Sequence, residues 1–357
     1  MGDRDFTKII MPKKEEWYKN GMEHVSNSKV ECYSMCSLKW ALKYILKEKE
    51  PWSDNLAFGQ VHHTICEKIL LDAYNDKNFY KTVNQEYIDK VLIPEWHKAF
   101  AKEFENHNLD SKEYEDIKKM SFGSITVALK WLVEQEFELL SIKGNDGNMI
   151  PAQEFGVGVP IEDPSTRKYL DSHYLQVWPD AVVRDKNGDI IILDHKTAGR
   201  RYTEDKIKTA MQLPLYAYAL KDILKDSGYD YKFKVAYAVL LKQKNIVVEY
   251  YEKDIDGEDI NAALYKICMA VDGIEKKAIS ATPLEMAHSF CGFKRKCMKE
   301  DGECVNYRLI MEITKGEYEP PKKEIKMAEE VVANEEVQGN SKESDSTSVN
   351  DKNEGWW

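Results

Sequence analysis

No stretch of this 357-residue chain is apolar for long enough to span a bilayer, so a membrane-embedded role is not expected. The segment Met1 to Lys14 contains no apolar signal core, so secretion is not expected either, and the cytoplasm is the default compartment. Internal repeats are absent, which sets aside solenoids and propellers. No Gly-x-x-x-x-Gly-Lys-Ser/Thr loop occurs, so the chain shows no nucleotide-driven motor of its own. Cysteine is scarce and odd in number: Cys32, Cys36, Cys66, Cys268, Cys291, Cys297 and Cys304 make seven. That count in a long chain does not look like a disulfide framework. Positive charge is in deficit, at a net −11, which at first argues against a polyanionic substrate. Local patches rather than net charge decide nucleic-acid binding, however. Part of the acidity sits in the last segment, where residues 321–357 hold nine acidic side chains against five lysines.

What is present reads as a layered α/β chain. Partial apolar stripes predict helices over residues 36–47, 55–74, 85–106 and 114–141. Strand patterning follows at 152–159, 174–184 and 190–195, with an Asn187-Gly188 turn before the last of these. A helix over 214–225, strands at 233–241 and 246–251, and a helix over 255–277 complete the order. Helices, strands, helix, strands imply a sheet covered by helices. Residues 1–30 are polar and read as irregular or loosely helical. Beyond Glu317 large apolar residues almost vanish, and the acidic segment 313–357 reads as a disordered tail.

The chemistry concentrates in Val177-Trp178-Pro179-Asp180 and Leu193-Asp194-His195-Lys196-Thr197. Period-two alternation puts Asp194 and Lys196 on one strand face, and the hairpin folds Asp180 back beside Asp194. Two carboxylates with water suit Mg²⁺ or Mn²⁺, and a lysine can orient water or offset developing charge. Acid-x-Lys by itself also describes a surface ion pair. Here Asp194 ends an apolar run, which favours the functional reading. Gln212 and Tyr216 are four apart, and Pro214 fits only a first helical turn, so the pair faces one way at a helix start. Gln212 could hold an attacking water and Tyr216 a phosphate, or Tyr216 could simply pack. His63 and Glu67 stand one helical turn apart after Gly59, and His63 is a candidate third ligand.

Taken in order, these residues resemble the RecB-like branch of the PD-(D/E)XK nuclease superfamily, which includes CRISPR-associated iron–sulfur exonucleases and phage relatives. The branch pattern is Gly-x-x-x-His-x-x-x-Glu, then an acid, then Asp-x-Lys-Thr, then Gln-x-x-x-Tyr. This chain supplies Gly59, His63 and Glu67, then Asp180, then Asp194, Lys196 and Thr197, then Gln212 and Tyr216. The resemblance implies a restriction-endonuclease-like core at residues 31–312, a central mixed sheet flanked by helices. It adds an N-terminal helical region, a helical insertion near 75–142 and a cysteine-rich segment at 288–306. It implies a metal-dependent DNA nuclease, with His63, Asp180, Asp194 and the His195 carbonyl as Mg²⁺ or Mn²⁺ ligands. Lys196, with Gln212 and Tyr216, would complete the catalytic set. His62, next in the chain, would replace His63 if the register slipped by one.

Relatives in that branch also tie one N-terminal cysteine to three C-terminal ones around a [4Fe–4S] cluster. By position these are Cys36, Cys291, Cys297 and Cys304. Ser37 stands where proline is usual, and the gaps of five and six residues depart from the common Cys-x2-Cys. Four thiolates also suit Zn²⁺. The implied partners are single-stranded or end-containing DNA and a separate helicase or recombination protein. The implied setting is the bacterial cytoplasm, for a phage protein that of its host. The alternative reading is a DNA-end or partner-binding module that keeps the fold with little or no cleavage.

Overall fold

The computed structural model describes residues 9–105, 107, 109–229, 232–282, 291–297 and 307–317. Cys304, part of the cysteine-rich segment, and residues 318–357 of the expected tail lie outside them, whereas residues 313–315, placed in that tail, end a helix, Tyr307–Lys315, in which Ile313 is buried. Strands β1 (Ile9–Ile10) and β2 (Glu23–Val25) precede helix α1 (Asn27–Met35). Then come the long helices α2 (Asp54–Asn75), α3 (Ile93–Phe104) and α4 (Ser111–Gln135). Short strands β3 (Glu138–Leu139), β4 (Ser141–Lys143) and β5 (Met149–Pro151) lead into β6 (Gly156–Glu162) and β7 (Tyr169–Val177). After β8 (Ala181–Arg184) and β9 (Ile190–Ala198) come α5 (Gln212–Asp226), β10 (Phe233–Leu241), β11 (Val247–Lys253) and α6 (Gly257–Glu275).

The central sheet runs β11-β10-β9-β8-β3. It is mixed: β9 and β10 are parallel, while β8–β9 and β10–β11 are antiparallel. Alternation along β9 sorts its side chains between two layers. Ile190 and Ile192 join the core built with α5, α6 and a second sheet, β1-β6-β7-β2. Ile191 and Leu193 join the core under α2, α3 and α4. A strand with apolar residues on both faces must be covered on both faces, which is why β9 reads as an unbroken apolar run.

Several expectations change. The helix expected over 114–141 stops at Gln135, where Glu136 caps it in the left-handed region at φ 52°, and β3 and β4 take the rest. The strand expected over 174–184 is two strands, broken at Trp178-Pro179-Asp180. Proline cannot donate to a ladder, and β7 and β8 belong to different sheets, so the chain changes layers at this point. The polar first thirty residues are not merely irregular: β1 and β2 pair in parallel with β6 and β7. The 36–47 helix is a single turn, Ser37–Trp40, widening to a π turn at Ala41–Ile45. In the β8–β9 turn only Gly188 takes positive φ, at 88°; the Asp185 carboxylate accepts from the Asn187 and Asp189 amides and holds the turn instead.

Candidate active site

The break between β7 and β8 delivers Asp180 just past the last β8–β9 pair, Ala181 with Leu193. Asp180 therefore stands opposite Asp194. Both are buried, at 6% and 1% exposure. The backbone of β9 itself fixes Asp180: the His195 amide donates to its Oδ2 at 2.6 Å. The α5 start fixes Asp194: its Oδ1 lies 3.0 Å from Gln212 Nε2 and 2.9 Å from the Tyr216 hydroxyl. Gln212 also donates to that hydroxyl at 2.6 Å, and the carbonyl of Trp178 stands 3.0 Å from it. Lys196 ion-pairs with Asp194 Oδ2. Gln212 and Tyr216 thus meet the carboxylate rather than standing free toward solvent. They orient Asp194, a positioning role that helix spacing alone does not distinguish from contact with a substrate.

On the other side, α2 brings His63 Nδ1 to 3.4 Å from Asp180 Oδ2. A residue that pattern reading passed over joins them. Glu154, between β5 and β6, shares a site with His63 and Asp180, with ligand atoms all within 4.8 Å of one another. Its backbone is left-handed at φ 46°, and its amide donates to the Asp180 carbonyl at 3.1 Å. A non-glycine residue in that region costs on the order of 1 kcal/mol and persists only where the surroundings impose it. The strained kink aims Glu154 at Asp180. The only advance signal was an acid inside a segment otherwise patterned as strand.

The electrostatics follow from burial. Burial and the Asp194 charge push the Asp180 carboxyl well above the ordinary range. Burial drives the His63 imidazole down, assisted by Lys196, so it is neutral and has a lone pair to give. Burial works against the Lys196 ammonium, but Asp194 and Asp180 outweigh it and raise its pKa, so it stays charged. Two buried carboxylates beside a neutral imidazole form a donor set that a hard divalent cation would relieve, and the residues fit such an ion.

A model of the PD-(D/E)XK nuclease superfamily matches residues 24–298. The chain belongs to that superfamily. Its members hydrolyse nucleic acid with divalent metals, and the mixed sheet flanked by helices is their fold. Two solved structures align with this chain at low identity. One is a protein of Eubacterium rectale provisionally named as an exonuclease, at 10% identity and TM-score 0.38, covering 88% of this chain and 91% of its own. The other is SSO0001, at 13% identity and TM-score 0.30, covering 75% and 95%. No curated protein matches. Among the described residues, no helix is long and apolar enough to cross a membrane.

The cysteines lie apart from these carboxylates. Cys36 and Cys291 pack with buried Cys297, Leu38, Trp40, Phe293 and Ile313 in a third apolar cluster. Burial pushes the Cys297 thiol up to about 11, with Cys291 and Cys36 adding to it. With Cys32, four thiols share this apolar cluster, but among the described residues no three of their sulfurs come within 4.8 Å of one another. Ser37 makes the joint to the C-terminal half: its hydroxyl accepts from the Ser280 amide at 2.8 Å and lies 3.1 Å from the Ser280 carbonyl. A proline here could not supply that hydroxyl.

Proposed function

We propose that this superfamily member is a Mg²⁺- or Mn²⁺-dependent deoxyribonuclease of the RecB-like branch, acting on single-stranded or end-containing DNA. The observation that carries the reading is one pocket holding paired Asp180 and Asp194, Lys196 against Asp194, and His63 and Glu154 against Asp180. His63, Glu154, Asp180, Asp194 and the His195 carbonyl would hold the ion. What a divalent ion supplies there is a polarised phosphate and a more acidic water. Lys196, kept protonated by its carboxylates, offsets negative charge developing on the phosphate rather than serving as a base. Gln212 and Tyr216 keep Asp194 in one orientation. Cys36, Cys291, Cys297 and Cys304 would hold a [4Fe–4S] cluster, with Zn²⁺ as the alternative occupant, and would tie the chain's two ends together away from the scissile bond. Because no motor loop is present, a separate helicase or recombination partner would open duplex substrates, in the cytoplasm of a bacterium or of a phage host.

Incubation with end-labelled DNA, single- and double-stranded, linear and circular, tests this reading. Cleavage of linear DNA that requires Mg²⁺ or Mn²⁺ and spares circles is the expected result. Intact DNA under every condition overturns it.

The ligand set makes its own prediction. Glu154→Gln and His63→Ala should each weaken Mn²⁺ binding, read by calorimetry, by about ten- to a hundredfold. His62→Ala should weaken it less, because His62 points away from Asp180. The reverse ranking would move the ion off the Asp180 side of the pocket.

A further inference from the structure

Behind the carboxylates, on the opposite face of β9, lies a second group of metal-type donors. His62 and Cys66 are one turn apart on α2, so they share the face that packs on the sheet. Alternation turns the His195 ring toward them, while Asp194 and Lys196 point the other way. All three are almost sealed from solvent: His62 at 2%, Cys66 at 1% and His195 at 2% exposure. Their ligand atoms lie within 4.8 Å of one another.

We infer that His62, Cys66 and His195 form a buried site for a borderline-soft divalent cation, Zn²⁺ in the first instance. Three observations support it. The Cys66 sulfur is 3.6 Å from His62 Nε2 and 3.9 Å from Nδ1, so it sits beside the ring rather than at the end of one N–H. Zinc bound to sulfur at about 2.3 Å and to nitrogen at about 2.0–2.1 Å in a tetrahedron separates the two donors by roughly 3.5 Å. Second, His195 Nε2 is buried with no hydrogen-bond partner among the described residues. Leaving such a group unpaired costs about 1–3 kcal/mol, and an ion is one of the few things that removes the cost. Third, one thiolate and two imidazoles select Zn²⁺ over Mg²⁺, so this site and the carboxylate site would sort different ions.

Binding balances simply. The Cys66 thiol loses its proton to solvent, the sulfur lone pair goes to Zn²⁺, and the two neutral imidazoles each give one nitrogen lone pair. The site then carries a single positive charge, which offsets the burial that otherwise holds the Cys66 thiol protonated. Zinc here would pin α2 to β9 and so hold His63, the next residue, beside Asp180. The inference stands whether or not the chain cleaves DNA.

The test loads the full chain with ZnCl₂, removes excess by gel filtration and measures zinc by mass spectrometry. Wild type should retain about one equivalent more than Cys66→Ser or His62→Gln, while Cys297→Ser, altered only at the other thiol cluster, should keep that equivalent. Substitution by Co²⁺ should give wild type a sulfur-to-cobalt charge-transfer band that Cys66→Ser reduces. Equal zinc in wild type and Cys66→Ser overturns the site. Should the variants fail to fold, crystals of zinc-loaded wild type decide: an anomalous peak among the three side chains supports the inference, and its absence there refutes it.

Discussion

Replacing Lys196 with alanine is expected to lower DNA cleavage by about a thousandfold, and Asp194→Asn to do at least as much. The ammonium is, among the described residues, the positive charge paired with Asp194, and Asp194 and Asp180 keep it protonated. Removing it leaves Asp194 still held by Gln212 and Tyr216, so the fold should survive. Asparagine at 194 keeps a carbonyl for those two donors while removing the charge and the oxygen that faces Lys196. Alanine at 194 is the poorer probe. It takes the carboxylate away from the half-buried Lys196 ammonium, at about 1–3 kcal/mol, and leaves Tyr216 and Gln212 only the Trp178 carbonyl and the Tyr216 hydroxyl as acceptors. Cleavage is read on end-labelled DNA, folding by circular dichroism and DNA binding by fluorescence anisotropy. Near wild-type cutting by either variant would place the active site elsewhere.

Loss of the cysteine-bound group is expected to act on stability instead. Cys297→Ser should abolish iron in anaerobically purified protein and lower the thermal midpoint by about 10 °C, corresponding to about 3–4 kcal/mol of lost ligand binding. The reason is topological. The cluster of Leu38, Trp40, Leu42, Phe293, Leu309 and Ile313 joins segments near opposite ends of the chain, and Cys36 and Cys297 lie within it. A metal group there closes a loop around most of the domain, and only the folded chain can bind it. Cleavage per folded molecule should change little, since these sulfurs lie in a different cluster from the carboxylate pocket. Cys268→Ser should leave iron content and stability unchanged. A colourless, iron-free but well-folded anaerobic protein would remove the iron–sulfur assignment, and zinc in that sample would replace it.

The chain's own sequence determined the parts that depend on local periodicity. The unbroken apolar run Ile190 to Leu193 demands a strand covered on both faces, and alternation then sets Asp194 and Lys196 on one side and His195 on the other. Pro214 confines Gln212 and Tyr216 to the first turns of a helix. Tertiary structure decided what those periodicities cannot carry. The β8–β9 hairpin sets Asp180 opposite Asp194, as the sequence leads one to expect, but the chain's passage from one sheet to another at Pro179 is a change of partner that a single strand pattern does not record. Glu154 reaches the site through one left-handed residue, and its neighbours in space are 26 and 91 positions away in sequence. Spacing from Gly59 favours His63 over His62, but it does not say where either ring goes. One residue of helix turns them about 100° apart, so only the packing of α2 against β9 sends one ring to Asp180 and the other to Cys66 and His195.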